Sequence, residues 1–144
     1  MTVDDMRILA IDPGEKNIGL ALSDPSGTIA SPLTVIRHTA RKADAAAIAQ
    51  LAQEHHVGLI VMGQSINEDG QPTIEGRRAA RLAGAIRAQI QIPLVFWDES
   101  HSTQAAQQTR RILGVSRQKR SGHLDDLAAA IILQSYLAAH TPKD

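Results

Sequence analysis

Five acidic residues stand where strands end or a helix begins. The stretch "ILAIDPGEKNIGLALSD" (8–24) runs apolar residues into Asp12 and turns at once through Pro13 and Gly14. "VFWDES" (95–100) ends another apolar run on Asp98 and Glu99, and "HLDDLAAAIILQSYL" (123–137) opens an apolar helix with Asp125 and Asp126. Carboxylates brought together from two strand ends and a helix start repel one another unless cations hold them. Oxygen ligands with no His or Cys among them favour Mg²⁺ or Mn²⁺ over zinc. A bare acid at the end of a buried strand is then explained as a metal ligand. Each residue also has a structural alternative. Asp12 can start the Pro-Gly turn, and whichever of Asp125 and Asp126 is not a ligand can cap the final helix. Asp98 and Glu99 fall on opposite faces of a regular strand, so at most one points directly into a shared site.

Other chemistries are poorly provided for. There is no cysteine, which excludes disulfides, thiolate metal sites and thiol nucleophiles. The six His residues show no metal-ligand spacing. His55 and His56 read as a solvated helix end, whereas His101 and His123 lie near acidic positions and are candidates to touch substrate. Ser102 reads as a helix cap rather than a nucleophile, since no His is placed to activate it.

The elements that must position the acids alternate along the chain. Arg7–Asp12, Gly19–Ser23 and Thr28–Ile36 read as three strands of an antiparallel meander, with turns at "DPGEKN" and "DPSG". Residues 43–54 predict a helix with Ala47, Ile48, Leu51 and Ala52 on its inner face, and Gly58–Gly63 is a buried strand. Residues 76–90 predict a second helix, with Ala79, Leu82, Ala83, Ile86 and Ile90 inward, before a short strand at Leu94–Trp97. A helix from Ser102 to about Ile112 and a last one from Leu124 to about Ala138 complete the order β-β-β-α-β-α-β-α-α. That order implies an α/β fold, a mixed five-stranded sheet with helices on its faces. The polar segments 64–75 and 113–123 read as functional loops.

Composition sets the frame. The 144 residues, 43% hydrophobic and 21% charged, fit one soluble domain spanning 1–144. The start "MTVDDMR" has no apolar signal region and no run of 18 uncharged apolar residues occurs, so a cytoplasmic protein with no membrane partner is expected. Acids and bases balance at 15 each, yet from Arg77 to Arg120 nine Lys or Arg residues face only Asp98 and Glu99. Within "RQKRSGH" and just before it, five bases from Arg110 to Arg120 have no acid among them. Such a basic lip suits an anionic partner, nucleic acid being the commonest. With one Phe, one Trp and one Tyr, phosphate contact is favoured over base stacking. For Arg77, Arg78, Arg81 and Arg87 a solvated helix face is an equal alternative.

The first strand-turn, the strand "GLIVMG" followed by "NEDG", the segment "WDESHST" and the tail "HLDDLAAAIILQSYL" together resemble the YqgF (RuvX) family of RNase H-like nucleases, over nearly the whole chain and in the same order. The resemblance implies an RNase H-like fold, metal-dependent phosphodiester hydrolysis and trimming of the 5′ end of precursor 16S rRNA. Holliday junction resolution is the alternative, by similarity to the RuvC resolvases. Partners so implied are precursor rRNA or branched DNA, and ribosomal particles, for a monomer or homodimer. Carried over by motif, Asp12, Asp98, Glu99 and Asp125 are the catalytic acids, with Asp12, Glu99 and Asp125 favoured as ligands of Mg²⁺ or Mn²⁺ and Asp98 supporting. Two-metal hydrolysis would have Asp12 bridge the ions. Arg78, Arg81, Arg117, Lys119, Arg120 and His123 are the candidate nucleic-acid contacts. The chain departs from the family pattern at Gln64 and Ser65, where Leu-Pro is common, and at Ser100, where Arg is common; these read as altered substrate contacts. Two rival classes remain. One is a non-catalytic RNA-binding protein on the same fold. The other is a phosphotransferase of the actin and sugar-kinase group, whose phosphate turn "DPGEKNIGLAL" also resembles; that group needs two such domains around a cleft.

Overall fold

A computed structural model of the protein describes residues 6–98 and 124–140. Its strands are β1 (Arg7–Pro13), β2 (Asn17–Ser23), β3 (Ala30–Arg37), β4 (Val57–Gln64) and β5 (Leu94–Asp98). The described helices are α1 (Arg41–Glu54), α2 (Ile74–Arg87) and α3 (Leu124–His140). The strands form one sheet in the order β3-β2-β1-β4-β5. The meander β1-β2-β3 is antiparallel, while β4 and β5 run parallel to β1. The mixed sheet expected from the sequence is therefore present, and the C-terminal ends of β1, β4 and β5 share one edge.

Alternation along the central strands sorts their side chains between two cores. Leu9 and Ile11 of β1, Ile60 and Met62 of β4 and Leu94 of β5 pack with Ile48 and Ala52 of α1 and Ala79, Leu82, Ala83 and Ile86 of α2. On the other face Ala10, Ala21 and Val61 pack against Ala129, Ile132, Leu133 and Leu137 of α3. The small residues on this second face let α3 lie close across β1, β2 and β3. Pro32 is tolerated because β3 is an edge strand with a register shift where Pro32 meets Ala21.

The inner face of α2 matches the sequence reading in full, and Ile90 is buried just beyond the helix. The face of α1 is rotated from the expected one: Asp44, Ala45, Ile48, Ala49 and Ala52 are buried, whereas Ala47 and Leu51 are only half-buried. A helix this rich in Ala has little hydrophobic contrast to fix its orientation. What fixes it is Asp44, whose carboxylate accepts from the Thr39 amide at 3.1 Å and bonds the His38 ring. The Gln64 departure also has a packing role: its side chain is buried, and Nε2 donates to the Gly76 carbonyl at 3.1 Å. The Thr73 amide donates to the Ser65 carbonyl at 3.0 Å, and the Thr73 hydroxyl caps α2 through the Gly76 amide. A Cβ on Gly76 would lie 2.2 Å from that same Ser65 carbonyl oxygen, so only glycine lets α2 start this close to β4. Gln64 and Ser65 thus clasp the end of β4 to the start of α2.

Strand β3 begins two residues later than expected because Asp24 holds the preceding turn. Its carboxylate accepts from the amides of Ile29 at 2.9 Å and Thr28 at 2.8 Å and from the Ser26 hydroxyl. The Ile29 amide, then the Ser26 hydroxyl and the Thr28 amide, lower its pKa from 3.8 to about 2. A depressed carboxylate stabilises the fold above the unfolded pKa, and that contribution is lost as pH falls through the folded value. Asp24→Ala is therefore expected to lower the melting temperature near neutral pH and to flatten its decline between about pH 4 and pH 2. Thermal melts across that window check it; parallel curves for both proteins would assign the acid limb to other groups.

Candidate metal and nucleic-acid site

At the shared edge, β1 runs one residue past its hydrophobic stretch to place Asp12 opposite Gly19 of β2. The register of β1 with β4 reaches Ile11 beside Met62, so Asp12 is level with Gly63, which pairs with Trp97. Asp12 thus shares a face with Ala10 and Trp97, the face covered by α3. Asp12 is half-buried there. The Pro13-Gly14 turn that follows is tight: the Gly14 amide donates to the Asn17 carbonyl at 3.0 Å, and a Cβ on Gly14 would meet that oxygen at 2.3 Å. Glycine at this position sets the height at which Asp12 leaves the sheet.

Asp98 is at the same edge but not on the same face. It pairs with Gln64 and follows the alternation of Leu94 and Phe96, the side of α1 and α2. The edge therefore carries Asp12 toward α3 and Asp98 toward α2. Asp125 and Asp126 lie in the first turn of α3, with side chains outside the described residues. Glu99, Arg117, Lys119, Arg120 and His123 also lie outside them, as do Ser100, His101 and Ser102. Among the described residues no three acidic or His side chains form a metal-holding group.

Several bases fall into distinct roles. Arg87 donates to the Leu94 carbonyl at 2.9 Å, with its guanidinium 5.7 Å from the centre of the Phe96 ring, and so ties α2 to β5. Arg78 and Arg81 instead line a cavity of about 230 Å³ on the α1/α2 side of the strand edge, together with Arg41 and His38. The sequence reading missed those last two residues. Nothing in the local pattern around Arg41 signals that it meets Arg78, some 37 positions away; only the crossover of the chain does that. The scarce aromatics are already engaged: Trp97 Nε1 donates to the Ser135 hydroxyl at 3.1 Å, and the Trp97 and Tyr136 rings meet edge-on with centroids 5.4 Å apart. Neither ring is laid open as a platform for bases.

The family model described as "RuvX: Holliday junction resolvase" matches residues 6–139. The chain belongs to the RuvX family. Among its relatives in that family, a protein of Thermoanaerobacter pseudethanolicus named "Putative pre-16S rRNA nuclease" is 39% identical over 142 residues, which cover 96% of this chain and 100% of the relative. A Myxococcus xanthus protein of the same name is also 39% identical, over 96% of this chain and 92% of its own. In fold, the chain resembles the RuvC of Thermus thermophilus in complex with a Holliday junction substrate, with a TM-score of 0.62 at 20% identity over 96% of this chain and 98% of that one. The fowlpox virus resolvase in complex with Holliday junction DNA follows, with a TM-score of 0.54 at 13% identity over 95% and 100% of the two chains. The RNase H-like architecture expected for RuvX proteins is thereby borne out, with helices on both faces of the sheet. Among the described residues no helix is long and apolar enough to cross a membrane.

Proposed function

We propose that this RuvX protein is a metal-dependent nuclease, one domain over residues 1–144, whose substrate is the 5′ end of precursor 16S rRNA. The observation that carries the reading is Asp12, a half-buried carboxylate at the tip of the central strand, on the face closed by the helix that begins with Asp125 and Asp126. The donors suit a hard divalent cation, Mg²⁺ or Mn²⁺, because the site offers carboxylate oxygens and the chain has no thiolate to offer. Asp12, Glu99 and Asp125 would hold it, and Asp98 would support from the other face. A cation held by these residues would supply the positive charge needed to polarise the phosphodiester and activate water.

The chain's own residues supply the rest. Asp12 pairs with Gly19 of β2, β1 pairs with β4 as far as Ile11, and the Pro13-Gly14 turn closes after it, so its backbone is placed before substrate arrives. Asp125 lies in the first turn of α3, a position at which a helix dipole favours a negative charge. Arg117, Lys119, Arg120 and His123 would grip the backbone beside the acids, and Arg78 and Arg81 would hold it on the far side of the strand edge. The relatives' printed name supports precursor rRNA as the substrate. The family description and the resolvase likeness in fold favour branched DNA as a second reading.

The test is cleavage by the whole protein, in Mg²⁺ and in Mn²⁺, of a labelled precursor 16S 5′-end RNA and of a four-way DNA junction. Metal-dependent cutting of the RNA is expected, with the junction cut weakly or left intact. Cutting of the junction alone, in symmetric pairs by a dimer, would establish the second reading. Binding of RNA with no cleavage in either metal would reduce the protein to a binding module.

A further inference from the structure

The cavity beside the Pro13-Gly14 turn lies on the opposite face of the strand edge from Asp12. Its walls are that turn, His38 and Arg41 at the start of α1, and Arg78 and Arg81 of α2. Among the described residues one acid lines it, Asp44, and that carboxylate is already engaged: it is 2% exposed and takes the His38 ring, the Thr39 amide and, at 3.5 Å, the Thr39 hydroxyl. The Asp44 contact is made through Nδ1 of His38, which orients the ring and leaves Nε2 over. Among the described residues no carboxylate pairs with Arg41, Arg78 or Arg81. Arg41, Arg78 and Arg81 thus line one concavity with no counter-ion among the described residues. A second, more open hollow shares His38 and adds Lys16 and Arg37 together with one acid, Glu15. No Phe, Tyr or Trp lines either hollow, which argues against a stacked base as the occupant. Planar guanidinium forks match phosphate oxygens in pairs.

We propose that this cavity is a phosphate-binding subsite in which Arg41, Arg78 and Arg81, with His38 held by Asp44, take one phosphate of the nucleic-acid strand whose neighbouring linkage is presented to Asp12. The proposal rests on the nuclease reading for its ligand, and it accounts for a feature that reading leaves idle. A strand crossing the tips of β1 and β4 passes from the acidic face to the basic one over Pro13 and Gly14. The phosphate is either an internal linkage or a terminal 5′-phosphate, the same chemistry from two sources.

The experiment measures binding of the full chain, without divalent metal, to two single-stranded RNAs of one sequence, one with a 5′-phosphate and one with a 5′-hydroxyl, over a range of salt. Arg41 and Arg81 are both exposed, so Arg41→Ala with Arg81→Ala is expected to fold, and Lys42→Ala, an exposed neighbour outside the cavity, is the control. The double variant is expected to bind about tenfold or more weakly, and the slope of log affinity against log salt to fall by about 1.4, at about 0.7 per phosphate contact. Loss confined to the 5′-phosphorylated strand identifies a terminal phosphate; equal loss on both identifies an internal one. An unchanged slope, or an equal loss with Lys42→Ala, overturns the subsite. Should the double variant melt early, Arg81→Ala alone carries the same comparison. Failure of the nuclease reading is distinct, since it is seen as absent cleavage while this binding difference persists.

Discussion

Asp12→Asn is expected to lower metal-supported cleavage by about 10²–10³-fold or more, the scale of losing a group that stabilises charge chiefly in the transition state. Asn keeps the shape of the side chain and can still begin the Pro13-Gly14 turn, whose closing bond runs from the Gly14 amide to Asn17 and not through residue 12. What it removes is the negative charge needed to hold divalent cations. Asp12 stands on the α3 face, where further carboxylates would crowd it, so neutralising it relieves repulsion. Stability should change by no more than about 1 kcal/mol in either direction. Without metal, RNA binding should persist or tighten, because a phosphate no longer faces that carboxylate. The measurements are cleavage, metal-free binding and a thermal melt on the same two proteins. A variant that cuts as well as wild type would remove Asp12 from the chemistry, and one that loses cleavage only because it unfolds would make it a fold residue.

How much of this was legible in the sequence depended on whether the signal was local. The apolar runs into Asp12 and Asp98 announce strand ends, and the spacing of Ala79, Leu82, Ala83 and Ile86 fixes the inner face of α2 without any tertiary knowledge. The α1 face was misjudged because alanines dominate it and because Asp44, an acid that a binary pattern puts outside, is buried by His38 and Thr39. Binary patterning has no means of seeing a satisfied buried carboxylate. The start of β3 was placed too early for a related reason: Asp24 takes the amides of Thr28 and Ile29 that a strand would otherwise pair. The departures at Gln64 and Ser65 read as changes in substrate contact, yet both tie β4 to α2. Charge counting along the chain found Arg78 and Arg81 but gave no reason to join Arg41 and His38 to them. Those residues meet only because β1, the β3–α1 junction and α2 end at one edge of the sheet.

The face on which Asp98 lies gives the two acids that the sequence left as alternatives different expected effects. Glu99→Gln is expected to lower cleavage by about 10²-fold or more, whereas Asp98→Asn should cost less than about tenfold. The reason is parity. Asp12 is level with Gly63 and Trp97 on the side of α3, while Asp98 is level with Gln64 on the side of α2. In extended chain successive residues alternate between faces, so one step past Asp98 returns to the face of Asp12. Were the chain to stay extended for that one step, Glu99 would be the acid able to share a cation with Asp12 and with the first turn of α3. Asp98 faces the α2 side, from which its charge would act on a cation at Asp12 only across the sheet edge and largely through solvent. Cleavage rates for the two variants, with the Mn²⁺ concentration needed for half-maximal activity of each, distinguish a ligand from a bystander. A lost ligand raises that concentration as well as lowering the rate, because fewer oxygens hold the ion. The opposite ranking, with Asp98→Asn the more damaging, would mean that β5 does not remain extended beyond Asp98 and that the acid on the α2 face is the one turned into the site.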